Sequence, residues 1–375
     1  MEEKIDEADL LNAILIETEV NKDNFFQDIL SILLDPEKEV NLNLLLPENY
    51  FEDLVFLYSA MLRIAELPLN EKILKIDPNN LSIPIILSNS TNMDLRLKAA
   101  NKAFINELIS IESLAALYQS VDFSSNQLNN PSETIKNLNK NSELIMAYYY
   151  QLVNIQIFPS SRINVIIDFW KFAKNIELEG IAYKLSDNII KTIDPSIDYL
   201  SVGLEIAMAL INNKDYETAL KWILFVDNNK TEKTEIEQVK LLNELHQSDN
   251  LDSLFTFVNA KNINSVKNSN IEEVLYAASS VINENQNIDS ELVFDKIMDN
   301  RSMPTVYLIS GIEKAILTKD ESNLFLLLLV TLNNKEWNEI HPEHLKLILK
   351  GIKEYKDSKL LKNILLDIFK NVKIF

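Results

Sequence analysis

Residues 195–228 carry the pattern that most restricts the fold, because two helical periods follow each other there across a short polar turn. The first period places its apolar side chains on one face of a helix predicted over residues 196–212. Those side chains are Leu200, Leu204, Ala207 and Ile211. Residues 212–215, Asn-Asn-Lys-Asp, then interrupt the period with turn-forming residues. We therefore predict two antiparallel helices in this stretch.

The second helix is predicted to begin at Asp215, whose carboxylate is suited to accept hydrogen bonds from the amides of a first helical turn. Its inward side chains are Tyr216, Ala219, Leu220 and Ile223, with Trp222 beside them. Ala207 and Ala219 are small residues at the point where the two helices would cross. This spacing resembles the tetratricopeptide helix pair. Because such a pair cannot bury its apolar face alone, the resemblance predicts neighbouring pairs stacked against it.

Glycine and proline are scarce, since the 375 residues contain only 4 Gly and 10 Pro. Apolar residues make up 47% of the chain, enough for a large core, and no long stretch alternates with the period of two that strands show. These features favour helices throughout. The predicted fold class is therefore all-α, an α-solenoid of antiparallel tetratricopeptide-like helix pairs.

Further helices are predicted along the rest of the chain. They cover residues 93–106, 111–120, 142–157, 162–174, 178–193, 235–246, 251–259, 271–282, 290–298, 304–317, 320–333, 342–355 and 357–372. A Lys-Asp dipeptide stands at the turn of three predicted pairs, at residues 214–215, 319–320 and 356–357. In each the Asp is predicted to cap the second helix.

The domain boundaries are predicted from polar runs. Residues 88–92, Ser-Asn-Ser-Thr-Asn, are the best candidate break. They divide an N-terminal helical segment, 1–90, from a helical-repeat region, 91–375. A sub-break is predicted near residues 229–234.

Several short runs of small and aromatic residues also resemble one bacterial family. They are Arg-Leu-Lys-Ala-Ala at 96–100, the run from Leu114 to Phe123, Ala-Tyr-Tyr-Tyr-Gln at 147–151, Ser161-Arg162, and Asp-Tyr-Glu-Thr-Ala-Leu-Lys-Trp at 215–222. With the closing helix pair around Gly351, they resemble uncharacterised helical-repeat proteins that often carry the automatic label "antifreeze glycopeptide polyprotein". The resemblance covers roughly residues 45 to 370. It implies helical repeats and brings no catalytic residue with it.

Charge excludes some classes of partner. The formal charge is −20, and it is uneven, because residues 1–60 carry −12 whereas residues 341–375 carry +4. Phosphate backbones would repel such a chain, so nucleic acid is not an expected partner. The longest apolar run, residues 324–330, is far shorter than the roughly 20 residues that a membrane helix needs, so no membrane insertion is expected.

Motifs for catalysis or cofactor binding are not found in the sequence, which has no glycine-rich phosphate loop, no G-x-S-x-G and no cysteine. His341 and His344 have the spacing of two metal ligands on a helix, but no third ligand is evident. Both are predicted to be capping or surface residues. We therefore predict no catalytic residue, no metal and no cofactor.

Two groups of residues are predicted to bind a partner. The consecutive tyrosines 148–150 span about 200° of a helix, so Tyr149 and Tyr150 are candidate interface anchors. The alternative is that all three pack between successive helices with their hydroxyls at the rim. Lys346, Lys350 and Lys353 are predicted to face solvent and to prefer an acidic partner surface. Their alternative is pairing with the protein's own acidic end, within one chain or between self-associated copies.

The predicted function is a non-catalytic scaffold or adaptor that binds a protein or peptide partner. The alternative is an α/α-toroid-like enzyme or small-ligand-binding helical domain, in which polar residues converge in one deep pocket. The first residues are acidic where a signal peptide would be basic. The compartment stays unknown: the cytoplasm is the default, and the periplasm applies if a natural exported N-terminus precedes this chain.

Overall fold

The computed structural model describes residues 5–18, 24–34, 54–138, 141–229, 234–247, 273–274, 277–278, 280–281, 300–333, 335–355 and 358–371. Within these ranges the chain forms 19 α-helices and no β-strand, which confirms the predicted all-α class. Two short 3-10 helices, Ile197–Val202 and Trp337–Glu339, lie in the same ranges. An isolated parallel bridge joins Ser302 to Ile340.

The helices are named in chain order. They are α1 (Ile5–Glu17), α2 (Asn24–Leu34), α3 (Val55–Ile64), α4 (Glu71–Ile76), α5 (Pro78–Leu87), α6 (Met93–Ile105), α7 (Ile111–Gln119), α8 (Ser125–Asn129), α9 (Pro131–Leu138), α10 (Ser142–Ile155), α11 (Pro159–Asn175), α12 (Glu179–Ile190), α13 (Gly203–Asn212), α14 (Tyr216–Asn229), α15 (Thr234–Gln247), α16 (Val306–Thr318), α17 (Glu321–Leu332), α18 (Pro342–Glu354) and α19 (Ser358–Asn371).

The same turn joins five pairs of consecutive helices. The first helix of each pair is followed by a non-glycine residue with a left-handed backbone, with φ between 54° and 66°. The amide of the next residue donates to the carbonyl five positions back, as from Asp215 to Leu210 at 2.9 Å. This arrangement is a Schellman cap, which pairs carbonyls that a helix end leaves open. The left-handed residues are Glu66, Glu107, Glu177, Lys214 and Lys319, after α3, α6, α11, α13 and α16.

Two of these turns are the predicted Lys-Asp turns. In both, the Asp side chain caps the second helix, as predicted. An oxygen of Asp215 accepts from the amide of Thr218 at 3.3 Å, and an oxygen of Asp320 accepts from the amide of Asn323 at 3.2 Å. The third predicted Lys-Asp turn, at residues 356–357, lies outside the described residues.

The central pair, α13 and α14, approaches closely at Gly203. A Cβ atom added to this glycine would lie 2.6 Å from Cγ2 of Val226. Ala207 and Ala219, the residues predicted at the crossing, are both fully buried. The prediction of one α-helix over residues 196–212 is wrong in its first part, because a 3-10 helix precedes α13. Glycine is a poor helix former, and Gly203 stands where the two helix types meet.

The chain divides into two compact units, Met1–Asn188 and Ile189–Phe375. A core cluster of the first unit joins α2 to α6 and contains Tyr58, Leu81 and Ala99, which lie on both sides of residue 90. The predicted division at residue 90 and the sub-break near 229–234 stay predictions about domains.

One core cluster of the second unit is built from α15 to α19 and from the buried residues Val274, Ala277, Ala278 and Val281. Its large members include Leu345, Ile348 and Phe369, each at most 1% exposed. This core fixes one side of α17 and α19, whose other sides form the candidate site.

Most other predicted helices agree with the structure to within a few residues. The predicted helices at 251–259 and 290–298, and half of the residues of the one at 271–282, lie outside the described residues. In the part of the chain that the structure describes, no helix combines the length and the apolar character that crossing a bilayer requires.

Candidate functional site

Tyr149 and Tyr150, predicted to bind a partner, lie in α10 of the first unit and are both half-buried. The Tyr149 ring stacks on Phe169 of α11 with the ring centroids 5.9 Å apart. The Tyr150 ring meets Tyr118 of α7 edge-on at 6.0 Å. Burial, assisted by the charge of Asp168, raises the pKa of the Tyr149 hydroxyl. These are the contacts of the alternative interpretation, packing between helices, and a binding role for the two tyrosines stays a prediction.

Lys346, Lys350 and Lys353 lie on α18 of the second unit. Lys350 is exposed, and the Lys346 ammonium lies 4.0 Å from the Glu343 carboxylate. The predicted solvent-facing position is wrong for Lys353, which is half-buried and donates to the Val281 carbonyl at 2.7 Å. A lysine stem is long enough to cross apolar surface and place its ammonium on a backbone carbonyl. The predicted lysines and tyrosines thus belong to different units.

The two histidines of α18 have different roles. His341 is the N-cap, and its Nδ1 accepts from the Glu343 amide at 3.2 Å, which confirms the predicted capping role. The same prediction is wrong for His344, which is fully buried. Burial and then the charge of Lys335 lower the pKa of the His344 imidazole to about 4. Among the described residues, no three His, Asp or Glu side chains are grouped as a metal site would require.

An exposed apolar surface in the second unit lies on α17, which has an unbroken apolar run over residues 324–330. Leu324 and Leu328 point into the core, where each is 4% exposed. The opposite side leaves three apolar side chains more than half exposed. They are Leu326 (60%), Leu329 (67%) and Val330 (52%), and we call them the α17 face. A helix that is apolar all round is normally buried, so an exposed face of this kind is typical of an interaction surface.

A surface pocket with a volume of about 360 Å³ adjoins the α17 face, because Leu329 belongs to both. The pocket lies between the end of α17, the 3-10 helix Trp337–Glu339 and α19. We call it the Trp337 pocket. It is lined by Leu329, Leu332, Lys335, Glu336, Trp337, Asp367 and Asn371.

Hydrogen bonds between the 3-10 helix and α19 hold the polar side of the Trp337 pocket. The Trp337 indole donates to Oδ2 of Asp367 at 2.6 Å, and the Asn371 amide donates to Oε2 of Glu336 at 2.7 Å. The Asn338 backbone amide donates to Oδ1 of Asn371 at 3.1 Å. The Glu336 side chain also caps the 3-10 helix by accepting from the Glu339 backbone amide, whereas Asp367 has a second oxygen outside these bonds.

Lys335 brings a positive charge to the pocket lining, but its ammonium donates to the hydroxyl of Ser302. Ser302 is held in turn by the bridge to Ile340, where its carbonyl accepts from the His341 amide at 3.1 Å. The lysine is thus attached to the segment that precedes α16.

No residue of the Trp337 pocket was predicted from the sequence. Trp337 and Asp367 are 30 residues apart, and no local pattern indicates that their side chains meet. The sequence does contain a pattern that indicates the α17 face, because seven consecutive apolar residues in a helix cannot all point into one core. The run 324–330 therefore predicts exposed apolar side chains as well as excluding a membrane helix.

Comparison with known proteins found no protein-family model, curated protein or solved structure that matches the chain. The resemblance to a bacterial helical-repeat family stays a prediction.

Proposed function

We propose that this chain is a non-catalytic helical-repeat scaffold that binds a protein or peptide partner through the α17 face. The exposure of Leu326, Leu329 and Val330 on one side of a helix carries the proposal. Removing apolar surface from water is the main favourable term in most protein association. A partner segment with apolar side chains at matching positions would cover this face and gain that free energy.

The architecture that we propose is an α-solenoid of tetratricopeptide-like helix pairs. The five left-handed turn residues stand at positions 66, 107, 177, 214 and 319, so 41, 70, 37 and 105 residues separate them. The longer intervals are two and three times 35, and the shorter ones fall within the roughly 34 to 47 residues of helical repeats. One turn geometry at this spacing supports a repeat organisation.

The volume of the Trp337 pocket is compatible with binding a partner's side chain. At about 360 Å³ it lies near the lower end of pockets that hold a small ligand, roughly 300 to 1,000 Å³. One long side chain of a partner fits within that volume. The enzyme alternative from the sequence requires a deeper pocket with converging polar groups, and it stays an alternative.

Peptide display on the whole chain tests the proposal. Random peptides are selected on the wild-type protein, and the binders are measured again on a Leu326→Asp, Leu329→Asp variant. We expect selected peptides to lose about tenfold or more in affinity, because two exposed apolar contacts of a partner are replaced by charges. The matched control is Leu317→Asp on α16, which alters a leucine that is 84% exposed but lies outside the α17 face.

The outcomes separate the alternatives. Selected peptides that bind the double variant as well as the wild type would contradict a partner site on the α17 face. Sedimentation velocity on the same three proteins tests self-association. A dimer that is lost only in the double variant would identify a second copy of the chain as the partner.

A further inference from the structure

We infer that the Trp337 pocket binds the lysine or arginine side chain of a basic amphipathic segment whose apolar residues cover the α17 face. The inference rests on the proposed function, and it adds the chemistry of the partner.

The carboxylates of the pocket provide the charge. Asp367 accepts one hydrogen bond, from the Trp337 indole, whereas Glu336 accepts from the Asn371 side chain and from the backbone amide of Glu339. These bonds orient the two carboxylates and leave the second oxygen of Asp367 for a donor from outside, with the charge of Glu336 in the same lining. The ion pairs Lys75–Glu71, Lys98–Glu71, Arg301–Glu273 and Lys346–Glu343 involve neither carboxylate. A guanidinium or ammonium group would supply the missing positive charge through charge-assisted hydrogen bonds.

The walls of the pocket suit the rest of such a side chain. Leu329 and Leu332 line one part of it, and the indole of Trp337 lines another. Lysine and arginine bury an apolar stem while their charged end stays at a polar rim. The face of a tryptophan ring also attracts a cation. One pocket therefore offers apolar surface for the stem, and an aromatic ring and carboxylates for the charge.

An anionic or neutral group fits the same pocket less well. The one cation in the lining, Lys335, already donates to Ser302, whereas Glu336 and Asp367 would repel a carboxylate or phosphate. The formal charge of −20 on the whole chain acts in the same direction, because it attracts basic segments over a longer range. This partner chemistry is the opposite of the acidic surface that the sequence predicts for Lys346, Lys350 and Lys353.

The test compares three synthetic peptides on the full chain. Each is a 14-residue amphipathic helix with the same leucine stripe, and the charged positions of its polar face are all Arg, all Gln or all Glu. Fluorescence anisotropy of the labelled peptides gives the three affinities. We expect the Arg peptide to bind about fivefold or more tightly than the Gln peptide, and the Glu peptide to bind most weakly.

Variants then locate the charge effect. Glu336→Gln with Asp367→Asn removes both charges but keeps oxygens that can accept from Asn371 and Trp337. This double variant should bring the Arg peptide to the affinity of the Gln peptide. The control is Glu313→Gln with Glu321→Gln, which removes two charges from exposed positions on α16 and α17. In the control the advantage of the Arg peptide should remain.

The results distinguish the inference from the proposed function. If all three peptides bind equally and all lose affinity in the Leu326→Asp, Leu329→Asp variant, the α17 face binds partners but the pocket does not select a cation. If the control weakens Arg binding as much as the pocket variant does, the attraction is only that of an acidic surface, and the inference is wrong. If no peptide responds to the leucine substitutions, the proposed function fails together with the inference.

Discussion

Burial in the fold changes the acid–base chemistry of His344. Its imidazole is fully buried in α18, and its position precedes Ile348 and Ile352 by one and two turns of the same helix. The spacing of the apolar residues thus placed His344 on the core face. The prediction of a surface residue followed the residue type, and the helical period was the better guide.

The buried histidine makes stability depend on pH. An unfolded histidine has a pKa near 6.5, whereas the pKa of His344 in the fold is about 4. Between these values the unfolded state binds more protons, so this contribution is complete above pH 6.5 and is lost as the pH falls toward 4. From pH 7.5 to pH 5 the loss should be about 2 kcal/mol.

A His344→Leu variant tests this expectation because it removes the titration and keeps an apolar side chain in the core. Urea unfolding of both proteins at pH 7.5 and pH 5 gives the two losses of unfolding free energy. The variant should lose about 2 kcal/mol less than the wild type, while all carboxylates titrate alike in both. Equal losses would show that His344 is not a neutral buried group.

Among the helices, the repeated turn is the feature that the sequence showed only in part. The Lys-Asp turns at residues 214–215 and 319–320 were predicted from a dipeptide whose Asp is a local cap. The three turns with a left-handed Glu, at positions 66, 107 and 177, are each followed by Leu and were not predicted. Glutamate gives no turn signal of its own, since left-handed positions usually hold Gly or Asn. The apolar period predicted the helices, but it did not predict the left-handed backbone of the residues that join them.

A glycine substitution measures the strain of these turns. A non-glycine residue in the left-handed region is held at a free-energy cost of about 1 kcal/mol. Lys214, with φ of 66°, follows α13 and is exposed. Glycine relieves the strain in the folded state but has more conformational entropy in the unfolded state, which offsets part of the gain. The net result of Lys214→Gly should be a stabilisation of about 0.5 to 1 kcal/mol.

The matched control is Lys221→Gly, which changes an exposed lysine inside α14. There the backbone is helical, so the same substitution should destabilise by about 1 kcal/mol. Thermal and urea unfolding of the two variants should therefore move in opposite directions. A loss of stability in both variants would contradict the strained turn at Lys214.

On the scale of the whole molecule, contacts between distant parts of the chain limit what the sequence can predict. The all-α class followed from composition and period, which are local properties. The pocket formed by Trp337 with Asp367 and Asn371 depends on how α19 packs beside a 3-10 helix about 30 residues earlier. Helices were predicted at α17 and α19, but the 3-10 helix between them and the relative placement of these elements were not. The same holds for domain limits, because polar runs mark loops and do not show which helices share a core.

Chain fragments test which division of the molecule is a folding boundary. The two compact units meet within α12, so a cut after Asp194 keeps that helix whole. Fragment 195–375 contains all members of the core cluster of the second unit, from Leu241 to Phe369. We expect it to remain helical by circular dichroism and to unfold in one cooperative urea transition.

A second fragment, 91–375, begins at the boundary predicted from the sequence. This cut removes Leu81 and Ile85, which share a core cluster with Ala99 of α6. Helix α6 then exposes apolar surface. The first urea transition of fragment 91–375 should therefore have a lower midpoint than that of the intact chain. If 91–375 keeps the midpoint of the intact chain while 195–375 shows no cooperative transition, residue 90 is the folding boundary. The core that crosses it would then contribute little to stability.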